Sequence, residues 1–156
     1  MNIFYLDQNI EKCATYHCDK HIVKMILEYA QLLSSACRVH GIEVGYKLTH
    51  QNHPCAIWTR ASEANFLYLV DLQHHLNEEY KKRYSGKDHK SYLILQNEIV
   101  LPDLPKLPLS EPPKCLPDEF KHLRTVEAYR QYYIRDKAYF CTWKTQVPNW
   151  FIPLHS

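Results

Sequence analysis

Six prolines fall between residues 101 and 117, and this segment constrains the fold of the chain more than any other. Proline fixes φ and has no amide proton, so the segment is unable to continue a helix or to lie in the centre of a sheet. Leucines alternate with the prolines, which favours an extended path held against the protein surface. A flexible linker remains the alternative for this composition.

Helical patterns occupy the chain on both sides of this segment. Capping residues and apolar spacing predict helices over about 7–38, 54–84, 90–98 and 125–143. Three glycines in 156 residues argue against a loop-rich β-fold. We therefore expect a mainly α protein: one domain over residues 1–156, built as a bundle of about four helices with a long proline-rich surface loop.

The composition predicts where in the cell the protein is located, but it does not decide whether the protein binds nucleic acid. The N-terminus lacks the pattern of a signal peptide, and no apolar run reaches the roughly 18 residues that cross a bilayer. Six cysteines occur without a Cys-x-x-Cys pair, so we interpret them as reduced thiols in a cytoplasmic protein that is not bound to a membrane. A net charge of +2 permits a nucleic-acid partner without indicating one.

The segment from His17 to His21 concentrates ionisable side chains at the start of the chain. On the predicted helix Asp19 falls on the inward face, where a carboxylate must be paired or its pKa rises, as in a general acid or base. The alternative is a structural Asp19 satisfied by backbone amides, by Lys20 or by Arg60. Glu28 lies four residues after Lys24, which predicts a surface ion pair.

A metal site is a second interpretation of the same segment. Cys13, His17 and His21 are spaced four apart, so on one helix they form a stripe able to share an ion such as Zn or Fe, with His53 as a further ligand. A solvated polar face is the structural alternative.

Two further segments have the chemistry to hold a nucleotide. The loop that contains His50, Asn52 and His53 precedes a predicted helix start at Pro54, where free amides favour phosphate. Its alternative is simple helix capping by Asn52 with His53 exposed. Asn65 falls on an inward helix face, which favours a structural hydrogen-bond network.

Aromatic and basic residues are interleaved between residues 128 and 144. Arg130 is placed to hold phosphate, while Tyr129 and Trp143 are candidates to stack on an unpaired base. Helical spacing also fits Tyr129 as a core residue.

The motifs together resemble two groups of proteins. His-Cys-Asp-Lys-His at 17–21, Asn-His-Pro-Cys at 52–55, Pro-Asp-Glu at 117–119 and Ala-Tyr-Arg-Gln-Tyr-Tyr at 128–133 resemble a set of small phage-encoded proteins. The arrangement of a short apolar lead, a long first helix, a His-Pro connection and an aromatic C-terminus is similar to that of the pyrimidine-dimer DNA glycosylases. Those enzymes use the amine of the N-terminal residue and a glutamate of the first helix to form an imine with the sugar.

The resemblance implies an enzyme acting on DNA or nucleotides, most concretely a glycosylase-like hydrolase at a pyrimidine nucleoside, with no cofactor. We expect Asp19 to act as base or electrostatic stabiliser and His17 or His21 to handle the proton. If Met1 is retained, we expect Lys20 or a water molecule activated by Asp19 to replace the amine. The expected substrate-binding residues are Lys24, His50, Asn52, His53, Arg60, Tyr129, Arg130 and Trp143. A metalloenzyme and a non-catalytic phage protein that binds a host protein through residues 101–117 are the competing hypotheses.

Overall fold

Six α-helices account for most of the regular structure in the computed structural model, which describes residues 1–152 and has no β-strand in that part of the chain. They are α1 (Ile10–Tyr16), α2 (Asp19–Val39), α3 (Pro54–Ala61), α4 (Glu63–Arg83), α5 (Lys90–Gln96) and α6 (Thr125–Tyr132). A 3-10 turn at Asp118–Phe120 precedes α6, and a π-helical turn at Tyr133–Lys137 follows it. The mainly α class is confirmed, whereas the prediction of about four helices is wrong.

The extra helices arise where two predicted helices break. Residues His17 and Cys18 adopt extended backbone angles between α1 and α2, and Ser62 does so between α3 and α4. Ser62 accepts a hydrogen bond from the amide of Asn65, so it begins a new helix as an N-cap. The last predicted helix also ends earlier, at Lys137 instead of Trp143.

The two longest helices, α2 and α4, pack against each other and form the centre of the fold. Helix α1 lies on α4, α3 contacts both central helices, and α5 lies on α2. On α2, Ile22, Met25 and Ile26 are buried, whereas Val23 is 41% exposed. None of the helices within residues 1–152 is both long enough and apolar enough to cross a membrane.

The first six residues run through the core without joining a sheet. Residues 3–6 are all buried. The amide of Phe4 donates to Tyr29 Oη at 3.0 Å, and the carbonyl of Phe4 accepts from Cys13 Sγ at 3.1 Å. Arg130 Nε donates to the carbonyl of Leu6 at 2.8 Å. Side chains therefore satisfy backbone groups that a neighbouring strand would otherwise bind.

The proline-rich segment is extended and bound to the rest of the chain at several points. The carbonyl of Pro105 accepts from the amide of Glu63 at 2.9 Å, and the carbonyl of Pro113 accepts from Tyr129 Oη at 2.7 Å. Asn65 donates to Ser110 Oγ at 3.1 Å and to the carbonyl of Trp58, which confirms its predicted structural network. The segment thus covers the start of α4 and one side of α6.

His17 belongs to the core. Its side chain is completely buried, with Nδ1 donating to the carbonyl of Cys13 at 2.7 Å and Nε2 accepting from Tyr29 Oη at 2.9 Å. Burial lowers the pKa of His17 to about 3, which keeps the imidazole neutral at physiological pH. The neutral ring therefore fixes the start of α2 against the N-terminal segment.

A buried neutral His17 makes the stability of the fold depend on pH. The unfolded chain takes up this proton near pH 6.5 and the folded chain only near pH 3, so acid favours the unfolded state. We expect the free energy of unfolding to fall between these values, by at most about 1.4 kcal/mol per pH unit from this group. Urea titrations over the range should give a smaller slope for His17→Gln, and an unchanged slope for the exposed control His122→Gln. Equal slopes in all three proteins would contradict this account.

Candidate active site

A small cleft of about 90 Å³ opens where the first residues of the chain emerge beside α2. Its walls come from the N-terminal segment, one face of α2 and the end of α6 with its π-helical turn. The residues that line it are Met1, Asn2, Phe4, His21, Lys24, Met25, Glu28, Tyr132 and Lys137. The cleft therefore combines one carboxylate, one imidazole and two lysines with the start of the main chain.

Glu28 is the carboxylate of this cleft. Lys24 Nζ lies 3.6 Å from Glu28 Oε2, which confirms the predicted ion pair. The two partners differ in environment, since the side chain of Lys24 is 63% exposed and that of Glu28 only 16%. Glu28 is thus largely shielded from solvent in the cleft. The predicted pairing with Lys24 is correct, but Glu28 does not lie on an open surface. It is also the one glutamate of α2, a signal that the sequence already contained.

His21 lies in the wall of the cleft and is almost fully buried. Its ring stacks on Phe4 with centroids 4.3 Å apart, and Nδ1 lies 2.6 Å from Tyr133 Oη. Burial raises the pKa of Tyr133 well above its ordinary value, so the phenol stays protonated and donates to Nδ1. A neutral His21 then carries its proton on Nε2.

His53 lies at the start of α3 and does not itself line the cleft. It is the N-cap of that helix, where its Nδ1 accepts from the amide of Cys55 at 3.0 Å, so the alternative that Asn52 caps this helix is wrong. The pKa of His53 is lowered by burial first, and next by the N-terminal ammonium and His50, while Glu28 acts in the opposite direction. These charges place the N-terminus, His53 and Glu28 in one neighbourhood.

Asn2 presents an unused acceptor at the cleft. Its Oδ1 is buried and has no hydrogen-bond partner within residues 1–152. A buried amide oxygen without a partner costs free energy unless a ligand or water satisfies it. This atom is therefore a candidate contact for a donor group of a bound substrate.

Asp19 lies outside the cleft and is buried, as its inward position predicted. Its Oδ1 lies 3.2 Å from Arg83 Nη1 and accepts from the amide of Lys144 at 3.0 Å. Its Oδ2 accepts from Thr142 Oγ1 at 3.0 Å. Nine residues of helix separate Asp19 from Glu28, which corresponds to about 14 Å. The partner of Asp19 is thus Arg83, and neither Lys20 nor Arg60.

Arg83 is completely buried and connects several parts of the fold. Besides Asp19 it binds Glu79 Oε1 at 3.1 Å. It also donates to the carbonyls of His17 at 2.9 Å and Thr15 at 2.8 Å. These carbonyls are at the end of α1, where no amide of the helix is available to bind them.

Of the other predicted catalytic and binding residues, two lie in or beside the cleft. Lys24 lines it, and Lys20 is exposed nearby with its Nζ 4.8 Å from the centroid of Phe140. His17 is enclosed by the core and does not line the cleft.

The predicted phosphate-binding loop and the aromatic C-terminal residues have other partners. His50 Nδ1 lies 2.7 Å from Thr49 Oγ1, Asn52 is exposed, and Arg60 Nη1 donates to the carbonyl of Gln51 at 2.6 Å. Tyr129 is completely buried, Arg130 binds Leu6 and Asp7, and Trp143 donates to the carbonyl of Tyr16 at 3.0 Å. The rings of Tyr129 and Trp143 are therefore buried in the protein and are not exposed for stacking on a base.

The proposed stripe of metal ligands does not form a cluster. Cys13 binds the carbonyl of Phe4, while His17 and His21 bind different tyrosines. Within residues 1–152 the group of three or more candidate ligands that does come together contains His53, Cys55 and Cys115. The sequence pattern missed it because Cys115 follows Cys55 by sixty residues.

Residues 1–92 match the family of proteins described as pyrimidine dimer DNA glycosylase. The matched part contains α1 to α4 and every cleft residue except Tyr132 and Lys137. No curated protein and no solved structure matches the chain.

Loss of Arg83 should destabilise the fold severely. The change Arg83→Met leaves Asp19 and Glu79 buried without a cation, and we expect the free energy of unfolding to fall by about 3–5 kcal/mol. Chemical denaturation measures this loss. The neighbouring exposed residue offers a matched control, Lys82→Met, which should change stability by less than about 0.5 kcal/mol. Similar losses in the two variants would contradict the assignment of Arg83 as a buried connection.

Proposed function

The chain belongs to the pyrimidine dimer DNA glycosylase family, and on this basis we propose that it is a DNA glycosylase-like enzyme that removes damaged pyrimidines. We place its active site in the cleft at the N-terminus. The observation that supports this placement is the presence of Glu28, from the first long helix, in the same cleft as Met1 and Asn2. A main-chain amine and a glutamate are the two groups whose chemistry the family resemblance implies.

In the proposed reaction, the amine at the start of the mature chain attacks C1′ of the damaged nucleotide. A nitrogen–carbon bond forms, the glycosidic bond breaks with its electron pair going to the base, and the base takes up a proton while staying joined to its partner in the dimer. The C1′–O4′ bond then breaks with its electron pair going to O4′, which takes up a proton. The nitrogen loses two protons in all and is left double-bonded to C1′ as an imine. The attacking amine is that of Met1, or that of Asn2 once Met1 has been removed.

Glu28 is the residue suited to assist this attack. Its carboxylate stabilises the positive charge that develops on the sugar, and it accepts a proton from the attacking amine. Lys24 fixes the carboxylate by their ion pair. His21, held between Phe4 and Tyr133, is the neighbouring donor for the departing base.

Basic and aromatic groups around the cleft are suited to hold DNA. Lys24 and Lys137 line the cleft, and Lys20 is exposed nearby. Lys137 Nζ lies 5.1 Å from the centroid of Tyr132, and Tyr139 is 83% exposed close to them in sequence. Lysines attract the phosphate backbone and an exposed ring can stack on a base. We therefore assign base stacking to Tyr139 in place of the buried Tyr129 and Trp143.

Asp19 receives a structural role in this proposal. Its two oxygens already bind Arg83, Lys144 and Thr142, and it lies about 14 Å of helix away from Glu28. A carboxylate held in this way supports the orientation of α2 and does not line the cleft.

The change Glu28→Gln tests whether Glu28, and not Asp19, is the carboxylate that acts in the reaction. We expect cleavage of the glycosidic bond in duplex DNA containing a pyrimidine dimer to slow by about 100-fold or more, because the amide neither accepts the proton nor stabilises the cation. Unfolding should change little, since Glu28 is paired only with an exposed lysine. The measurement is single-turnover formation of the abasic sugar, read as strand cleavage after treatment with alkali, because the base itself stays attached to its partner in the dimer.

Asp19→Asn is the matched control for this experiment. It should lower the free energy of unfolding by about 1–3 kcal/mol while leaving turnover per folded molecule close to wild type. Loss of turnover in Asp19→Asn with full activity in Glu28→Gln would reject the placement of the active site.

Borohydride should trap the imine on the N-terminal peptide. Reduction during the reaction converts the imine into a stable amine link between protein and DNA, and peptide mapping by mass spectrometry locates it. Lys24→Met and Lys137→Met should keep the cross-link, whereas one extra residue before Met1 should greatly reduce it. A cross-link on a lysine peptide, or cleavage of the glycosidic bond with no cross-link, would show that the main-chain amine is not the nucleophile.

A further inference from the structure

We propose that His53, Cys55 and Cys115 form a zinc site that ties the proline-rich segment to the start of α3. One atom from each residue lies within 4.8 Å of the other two. The three residues come from two separate parts of the chain, since Cys115 belongs to the proline-rich segment and the others to the N-terminal end of α3. This inference does not depend on the proposed glycosylase activity.

The spacing of the two sulfur atoms fits zinc better than it fits a disulfide. Cys55 Sγ and Cys115 Sγ lie 3.8 Å apart. Two thiolates bound to tetrahedral zinc at about 2.3 Å each are roughly 3.8 Å from each other. A disulfide requires about 2.05 Å. The thiols therefore already have the separation that a shared ion requires.

The ligand types select a soft or borderline metal. Two thiols and one imidazole favour zinc over magnesium or calcium, which prefer oxygen ligands. Cys55 is buried, whereas His53 and Cys115 are half-buried, so the group has a route to solvent. The carbonyl of Met1 lies 3.8 Å from Cys55 Sγ, which leaves a polar side to the site where a water molecule can supply the fourth ligand.

The hydrogen bond of His53 must change when the metal binds. Its Nδ1 now accepts from the amide of Cys55, and a ring nitrogen that binds zinc needs a free lone pair. The ring can rotate, or zinc can bind Nδ1 in place of the hydrogen bond from the Cys55 amide. One capping bond is a small part of the binding free energy of a zinc site with two thiolates, so this exchange does not prevent binding.

A zinc ion here would also fix the start of the chain. Cys55 contacts the carbonyl of Met1, and Cys115 lies two residues after Pro113, whose carbonyl binds Tyr129. The ion would therefore connect the N-terminal residue, α3 and α6 through one pair of cysteines. Cys13 and Cys37 instead bind the carbonyls of Phe4 and Val100.

The test uses full-length protein produced without a histidine tag and purified with a reductant. We expect about one zinc per chain by elemental analysis. Titration of the metal-free protein with cobalt should give thiolate-to-cobalt charge-transfer absorption and the visible bands of a tetrahedral ion. Cys55→Ser and Cys115→Ser should each weaken zinc binding by more than about 100-fold, because loss of an outer-shell partner alone costs about 10–100-fold.

Two further variants keep the result interpretable. Cys37→Ser removes a buried thiol away from the site and should bind zinc as wild type does. His53→Asn retains a side chain that can cap α3, and should weaken zinc binding while circular dichroism shows a folded protein. Protein that takes up no zinc, cobalt spectra without thiolate absorption, or equal zinc affinity in wild type and Cys115→Ser would overturn the proposal. Because these readouts do not involve DNA, they are unaffected if base release is never observed.

Discussion

The buried guanidinium of Arg83 is the interaction on which the arrangement of the helices depends. It neutralises Asp19 and Glu79, and it binds the carbonyls at the end of α1. Thr145 adds a hydrogen bond to Glu79, so the C-terminal segment is held at the same place. A cation enclosed in this way is stable only when all its partners are present, which makes the junction of α1 and α2 rigid. The direction of α2, and with it the position of Glu28, follows from that junction.

Helix α2 therefore has a structural part at its N-terminal end and a part farther along that faces the cleft. Its first residues, with Asp19, belong to the connection around Arg83. Two turns later the same helix presents Lys24 and Glu28 to the cleft, where a side chain can contact a ligand without disturbing the ion pairs below. A site supported by one rigid helix keeps its geometry better than one carried by loops, and this arrangement suits a reaction that needs an amine and a carboxylate at fixed distance.

Local sequence patterns predicted the helical class, the helix start at Pro54, the inward position of Asp19 and the buried network of Asn65. They did not predict the breaks at His17 and Ser62. The cap at Ser62 is a local signal, a bond to the amide of Asn65, that the helical pattern on both sides concealed. The break after His17 depends on tertiary contacts, since the amides of Cys18 and Asp19 bind Tyr133 and Thr142. Arg83, the charged partner of Asp19, lies 64 residues later in the chain, and residue spacing within a helix does not predict such distant contacts. Glu28 was explained by its local pair with Lys24, although it is the one glutamate of α2 and the family resemblance implies a glutamate of the first helix beside the N-terminus.

The path of the N-terminal segment explains why its position beside Glu28 was not predicted from the sequence. An extended apolar segment normally indicates a strand, yet here its polar backbone groups bind Tyr29, Cys13 and Arg130, which belong to three different helices. These side chains hold the segment only after the helices have packed, so its path is a property of the finished core. The segment that leads to the first residue is thus held at Phe4 and Leu6 by these side chains. In the proposed reaction the fold itself directs the main-chain amine at the substrate carbon, without a loop that must close.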